Sequence, residues 1–599
     1  LQEEIDKTEL LWPEKETEIN PPILPFQTIE TVNEPRISEK PLDFGSESYP
    51  RDWKNKLIWG DNKYILSSLK NDYEGQIDLI YIDPPFATGA DFTLDIEVGD
   101  ETVTKEPSVI EEVAYRDTWG KGMSAYLQMI YERLVLMREL LSEQGTIYVH
   151  LDWHVGHYVK LVLDEIFGRS NFRNEVIWRY HRYTAKSQDF QNMHDVLLRY
   201  TKTDNFTFNQ LYENYQDTTL KYHKWQTDED GREFYWKRGK DIEPYKIYKD
   251  EEGVRLSDVW ELPQIGPIGV ERVGFPTQKP EVVLKKVIKA SSNPGDTVAD
   301  FFCGSGTTGV VAEKWGRRWI MADLSKFAIQ TTRKRLLNLH NYSKDYDKPA
   351  RPFEILNLGN YQKYKFTENG HPPVEEYQEF ILELYEATPI EGYSFLQGRK
   401  GSTFVHIASV DGIVTEDEVK HATEECRNAA GGNKLHVLGW DFEMGLDRMV
   451  NQIGEMYGVD VNLKVIPKEA AEIKSAAEEG DRIKFFDLNY MEIEHKVDNN
   501  ELELNITDFV LANPEYIPEE VRENVDEFTD YIDYWAVDFD YQDDTFHNMW
   551  QTFRTRDRKQ LETSCKHEYD EPGTKKVLVK VIDVFGNDIN ELLEVDINE

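Results

Sequence analysis

The chain has 599 residues, 39% of them hydrophobic and 30% charged, enough at roughly 150 residues per domain for about three or four packed units. No run approaches the ~18 apolar residues of a membrane span, and the opening LQEEIDKTELLWPEKE lacks the basic and apolar regions of a signal peptide, so a soluble, cytoplasmic chain with no membrane contact is expected. The net charge of −43 repels a polyanion at long range, but it is uneven: residues 1–170 carry −17, 171–340 carry +4 and 341–599 carry −30.

Residues 1–50 are rich in Pro, Glu and Asn with little periodicity and read as an extended N-terminal arm. From about residue 51 strands and helices alternate. Ile77 to Ile82 (IDLIYI) is a short apolar run of buried-strand type, Met123 to Leu141 has helical spacing, and Thr146 to Leu151 reads as the next strand. Residues 171–275 break this rhythm with short segments crowded with aromatic and basic side chains. It resumes over 276–340: a helix opened by Pro280, a strand at Thr297 to Phe302, a helix at Thr307 to Trp315, a strand at Trp319 to Ala322 and a helix at Lys326 to Leu339. The expectation is one α/β sheet of parallel strands with an inserted module. Residues 341–599 carry a second α/β pattern, including a Thr415/Glu418 capping box, and then strand-like runs at Ile483 to Leu488, Leu502 to Ile506 and Val577 to Ile582.

Asp83-Pro84-Pro85-Phe86 follows IDLIYI directly, at the carboxyl end where open α/β sheets bind ligands. Consecutive prolines stiffen the backbone and aim its carbonyls. A carboxylate and a carbonyl here can each accept one N–H of an exocyclic amine, drawing the nitrogen toward tetrahedral geometry and freeing its lone pair, while Phe86 offers a ring to stack on the base. Asp-Pro-Pro alone equally fits a strand followed by a plain turn. The second signal, Asp300-Phe301-Phe302-Cys303-Gly304-Ser305-Gly306-Thr307-Thr308-Gly309, puts glycines between a strand and a helix N-terminus. By itself, with Asp323 ending the next strand, it also fits a dinucleotide site. No lysine follows the glycines, which disfavours an ATP loop, and Cys303 reads as a small packing residue.

Together, and in this order, the two signals resemble the amino-group DNA methyltransferases of the β class, in which the catalytic tetrapeptide precedes the cofactor loop. Gly60-Asp61-Asn62 and Pro276-Thr277-Gln278-Lys279-Pro280 add to the likeness, which covers residues from about 50 to 340. The phrases LIWGDN, LIYIDPPF and LDEIFG look most like the modification subunits of type III restriction–modification systems. The resemblance implies a Rossmann-like sheet with catalytic half 51–170, target-recognition domain 171–275, cofactor-binding half 276–340 and an acidic C-terminal α/β and strand-rich region 341–599. It implies S-adenosylmethionine as cofactor and double-stranded DNA as substrate. Asp83, Pro84, Pro85 and Phe86 would then hold and stack a flipped base. Asp300, Phe302, Gly304, Gly306, Thr307, Asp323, Gln278, Lys279 and Asp61 would hold the cofactor. Asp at the first tetrapeptide position favours adenine N6 over cytosine N4. Cytosine C5 chemistry needs a cysteine nucleophile, which the C5 methyltransferases place after a proline; here the cysteines follow Phe302, Glu425 and Ser564.

WRYHRY and FYWKR interleave aromatic and cationic side chains in the inserted module, making Arg179, Arg182, Lys237 and Arg238 the expected DNA contacts. His150, His154 and His157 are not taken as metal ligands, since methyl transfer from a sulfonium needs no metal. Asp538, Asp540, Asp543 and Asp544 read as a solvated acidic face. The acidic C-terminal part is expected to face away from DNA and dock a partner, either a restriction helicase–nuclease subunit or a second copy of the chain. The competing readings are a non-catalytic DNA-binding scaffold and an RNA adenine methyltransferase.

Overall fold

A computed structural model describes residues 9–598 apart from 33–52, 86–93, 99–100, 106–121, 182–189, 216–223, 240–241, 251, 267–268, 343–345, 347, 360–373, 411, 444–445, 468–469, 471–482, 484, 489, 512–516, 518, 524, 526, 543–544, 555–559 and 585. The centre of the fold is an 11-stranded sheet. In chain order its strands are β1 (Phe26–Val32), β2 (Asn55–Trp59), β3 (Ile77–Ile82), β4 (Leu141–Leu151), β5 (Phe172–Arg179), β6 (His194–Thr201), β7 (Val259–Glu261), β8 (Thr297–Asp300), β9 (Arg318–Asp323), β10 (Phe353–Leu358) and β11 (Phe546–Asn548). Across the sheet they run β7-β5-β6-β4-β3-β8-β9-β2-β10-β1-β11. The stretch from β4 through β3, β8, β9 and β2 to β10 is parallel throughout.

A parallel sheet needs both faces covered, so its strands are apolar on both sides. In β3, Ile80 and Ile82 enter one core while Leu79 and Tyr81 enter the other. Helices α1 (Asn62–Tyr73), α2 (Met123–Leu140) and α3 (Gly156–Phe167) close the first face through residues such as Leu66, Ile130 and Val162. Helices α4 (Glu281–Ser291), α5 (Thr307–Lys314) and α6 (Lys326–Leu337) close the second through Val287, Val311 and Leu336. Each such fully buried side chain contributes about 1.5–3 kcal/mol. The crossover from β3 leads through α2 to β4 on one side, and that from β8 leads through α5 to β9 on the other. The carboxyl ends of β3 and β8 therefore flank a topological switch point, where open α/β sheets form a crevice.

The sheet runs past the boundaries that the sequence suggested. The arm holds β1, which pairs antiparallel with β10 and parallel with β11. The inserted region lends β5, β6 and β7 to the same sheet and keeps as its own a three-stranded sheet of Gln226–Thr227, Glu233–Gly239 and Ile242–Tyr248 and a two-stranded one of Tyr212–Glu213 and Val254–Arg255. Trp178 and Tyr180, whose pattern fits either a nucleic-acid surface or ordinary core packing, are buried in the second core. The reason is period two: in β5 and just beyond it Trp178 and Tyr180 point inward and Arg179 outward.

Beyond the main sheet, Thr403–Ile407, Lys434–Gly439 and Asp460–Val465 form the parallel centre of a six-stranded sheet. Thr415 caps the helix Glu416–Asn428 by accepting from the Glu418 amide, as the capping box predicts. Within the run Ile483 to Leu488 the described residues form strand at Phe486–Asp487. Two further sheets then pack face to face over Leu504, Trp535, Val579 and Val581, and the outer side of one, with Tyr534, Ala536, Leu578 and Ile582, joins the second core of the main sheet. That junction contains charge. Glu30 of β1, 1% exposed, lies 2.9 Å from Arg333 of α6 and 3.6 Å from Lys580, and accepts from the Tyr534 hydroxyl at 3.1 Å. Asp538 is buried rather than part of a solvated face, because its carboxylate accepts the amides of Asp540 and His547 at 3.1 and 2.8 Å; Asp543 and Asp544 lie outside the described residues. Among the described residues no group of His, Cys, Asp or Glu is arranged for a metal, and no helix is long and apolar enough to cross a membrane.

Candidate active site

Four motifs meet at the carboxyl edge of neighbouring strands. Asp83-Pro84-Pro85 leaves β3, the glycine loop leaves β8, Asp323 ends β9, and Gly60-Asp61-Asn62 leaves β2. Phe86 lies outside the described residues.

Asp83 stands at the centre. One carboxylate oxygen, Oδ2, is ion-paired with the ammonium of Lys279, both side chains being largely buried. The other, Oδ1, is buried with no hydrogen-bond partner among the described residues, and lies 3.9 Å from His150 Nδ1. A buried, unmet acceptor is costly, and such atoms concentrate where a ligand supplies the missing donor. Behind Asp83 the fully buried His150 of β4 sits between the Tyr81 hydroxyl, 2.7 Å from Nδ1, and Asp195 of β6, 3.4 Å from Nε2. Burial and the Asp83 charge raise the Tyr81 pKa well above that of a free phenol, so Tyr81 stays protonated and can donate to His150. Burial works against the charge of Asp195, but the proximity of His150, the Lys279 charge and the Tyr180 hydroxyl outweigh it and hold this carboxyl below its usual range.

The glycine loop is built by backbone demands. Gly304 and Gly306 adopt φ of +49° and +72°, the left-handed region that L side chains avoid. A Cβ on Gly306 would lie 2.5 Å from the Thr332 side chain. The Gly304 amide donates to Asp323 at 2.8 Å, and the Ser325 amide donates to the other oxygen of Asp323 at 2.9 Å. Asp300 accepts from the Thr308 hydroxyl at 2.6 Å and from the Phe302 amide at 3.0 Å, while the Phe302 ring packs against the first core. Burial pushes the Cys303 thiol far up, with the charges of Asp323 and Asp300 adding to the effect, so it remains a neutral packing group.

Burial also pushes the Asp300 carboxyl up to about 7 from an ordinary 3.8; its two hydrogen bonds pull the other way, and the charges of Asp83 and Asp323 add to the rise. A carboxyl whose folded pKa exceeds its unfolded one takes up a proton on folding. Stability therefore falls as pH rises from 3.8 to about 7, and the cost persists above that. Thermal unfolding should show the wild-type midpoint dropping relative to Asp300→Asn across this window; identical pH dependence in the two would contradict it.

The remaining expected cofactor residues are spent on framing the loop. Asp61 caps α1 by accepting the Lys63 amide and pairs with Arg133 at 2.8 Å. Asn62 accepts from Arg133 and donates to the Phe301 carbonyl at 2.8 Å. Thr307 donates to the Lys279 carbonyl at 3.1 Å and accepts from Arg335 at 2.8 Å. The Gln278 amide is engaged with Val273 and Glu271 of its own segment. Of the expected DNA contacts, Arg179 is half-exposed and paired with Glu261. Lys237 is exposed beside Trp236, itself 44% exposed. The side chain of Arg238 and all of Arg182 lie outside the described residues. Sequence reading missed His150, Asp195, Asn62 and Arg133 as neighbours of the site, although Asn62 stands in the Gly-Asp-Asn motif itself.

A family model described as DNA methylase, of the N6/N4 kind, matches residues 77–334. The type II methyltransferase M.EcaI of Enterobacter cloacae is 31% identical over 332 residues, covering 47% of this chain and 69% of the relative. The chain belongs to this DNA methylase family. Two other relatives are each 27% identical: the DNA adenine methyltransferase YhdJ of Escherichia coli (52% of this chain, 90% of YhdJ) and the StyLTI Mod subunit, a type III restriction-modification enzyme component of Salmonella typhimurium (42% and 49%). The methylase family draws its methyl group from S-adenosylmethionine. The donor set fits that group: the cofactor carries sulfonium and ammonium cations, and the loop presents Asp300 and Asp323, whose mutual repulsion a bound cation relieves.

Proposed function

We propose that this DNA methylase transfers a methyl group to N6 of an adenine swung out of double-stranded DNA, as the modification and recognition chain of a restriction or phage-defence system. The observation that carries the reading is Asp83 Oδ1, a buried acceptor lacking a partner among the described residues, one strand away from the glycine loop. When bound, the cofactor supplies an electrophilic methyl on sulfur. The chain's own part is positioning. Asp83 and the Pro84 carbonyl accept the two N–H bonds of the amine, localising its lone pair, and Phe86 stacks on the extruded base. Asp323 accepts from ribose hydroxyls. Asp300, Phe302, Gly304, Gly306 and Thr307 shape the wall beside the methionine part, while Asp61, Gln278 and Lys279 hold that wall in place. Arg179, Arg182, Lys237 and Arg238 meet phosphates, helped by stacking from the exposed Trp236.

An aspartate at the head of the tetrapeptide, and the likeness to a named adenine methyltransferase, support adenine over cytosine. The likeness to a Mod subunit supports a type III context, with a helicase–nuclease subunit or a second copy as partner on the acidic face of residues 341–599. Labelled methyl incorporation into duplex DNA and into RNA tests the substrate. Incorporation into duplex DNA is expected; incorporation confined to RNA would overturn the reading in favour of an RNA methyltransferase, and none in either would favour a scaffold.

A further inference from the structure

The target amine needs Asp83 as a strong acceptor, and Oδ1 is open to it, yet Lys279 on Oδ2 neutralises the carboxylate and weakens it as an acceptor. The backbone of Lys279 has little freedom to withdraw. Its carbonyl is held by Thr307, which Arg335 holds in turn. Gln278 ties down the preceding turn, and Pro280, at φ −65°, caps α4 immediately after. Only the side chain can swing, and lysine is a flexible stem with a point charge at its tip. Drawing that charge off Asp83 would strengthen Oδ1 as an acceptor.

The charge distribution around the loop names the agent. The carboxylates beside the glycine loop suit the cationic groups of S-adenosylmethionine, but its α-carboxylate needs a cation. Two arginines near the loop are committed elsewhere: Arg335 bonds Glu281, the Ser305 carbonyl and Thr307, and Arg133 bonds Asp61 and Asn62. Lys279 reaches from the cofactor half of the fold across the crevice to β3, so its one charge serves either side.

We propose that Lys279 is a positioning residue that masks the charge of Asp83 until the cofactor's carboxylate draws its ammonium away, so that cofactor binding strengthens the acceptor that meets the target base. This rests on the reaction proposed above. It makes loading ordered, with the base gripped after the methyl donor is in place, and it makes Asp83 and the cofactor carboxylate competitors for one cation.

Competition of this kind is read by a double-mutant cycle. Calorimetry on the full chain would compare S-adenosylhomocysteine, which keeps the carboxylate, with 5′-methylthioadenosine, which lacks it. Lys279→Met should weaken S-adenosylhomocysteine by about tenfold or more, the usual worth of a charge-assisted bond, and leave methylthioadenosine nearly unchanged, which also shows that the variant is folded. Asp83→Asn should tighten S-adenosylhomocysteine severalfold, and only when Lys279 is present. Equal weakening of both ligands by Lys279→Met, or an Asp83→Asn effect that persists in the double variant, would overturn the proposal. Methyl transfer by the wild-type chain, measured alongside, separates the two claims: no transfer removes the reaction itself, whereas transfer with an additive cycle removes the masking alone.

Discussion

Asp83→Ala should cut methyl transfer to DNA by about a hundred- to a thousandfold without weakening cofactor binding. An exocyclic amine is a poor nucleophile because its lone pair is delocalised into the ring, and localising it requires acceptors placed where the N–H bonds point. Removing one such preorganised partner costs about 3–4 kcal/mol of transition-state stabilisation. Asp83 is placed for this by the short strand before it and the prolines after it, and Oδ1 is buried without a partner among the described residues. Its side chain lies outside the loop that Asp323 and Asp300 shape, so the cofactor should still bind. Labelled methyl transfer and calorimetry on the same preparation check both halves; transfer within tenfold of wild type would refute the role of Asp83.

The second large effect is on stability. Glu30→Ala should cost about 3–5 kcal/mol, because it leaves Arg333 and Lys580, each 4% exposed, without their shared carboxylate in the buried junction between β1, α6 and the C-terminal sheet. Arg333 also lies 3.8 Å over the Tyr534 ring, whose hydroxyl donates to the same glutamate. Glu30→Gln, which can still accept from Tyr534, should fall between alanine and wild type. Urea denaturation measures the difference; a loss below about 1 kcal/mol for alanine would mean that the cluster relaxes to water and that the C-terminal sheet is not locked to the methylase core.

The parts of the site that were legible in the sequence are those whose demands are local. Two prolines after a buried strand, and glycines at a left-handed turn between strand and helix, declare their backbone in adjacent residues, and the parallel strands flanking them bring the two together. Long-range pairing was not legible. Asp195 approaches His150 because β6 lies beside β4, and β11 joins the sheet more than 500 residues after β1; apolar period fixes which face of a strand is buried and says nothing of its neighbour. The same blindness left Trp178 and Tyr180 open between a nucleic-acid surface and a core. Alternating aromatic and basic residues read alike whether the aromatics face bases or a core, and only the partner strands β6 and β7 decide that they are packed.

The most direct test of the central claim is to incubate duplex DNA with the chain and S-adenosylmethionine carrying a deuterated methyl, digest to nucleosides and weigh the products. The account predicts the label in N6-methyladenine and its steep fall with Asp83→Ala. Label in N4-methylcytosine, or label in adenine that is undiminished by the loss of Asp83, would contradict it.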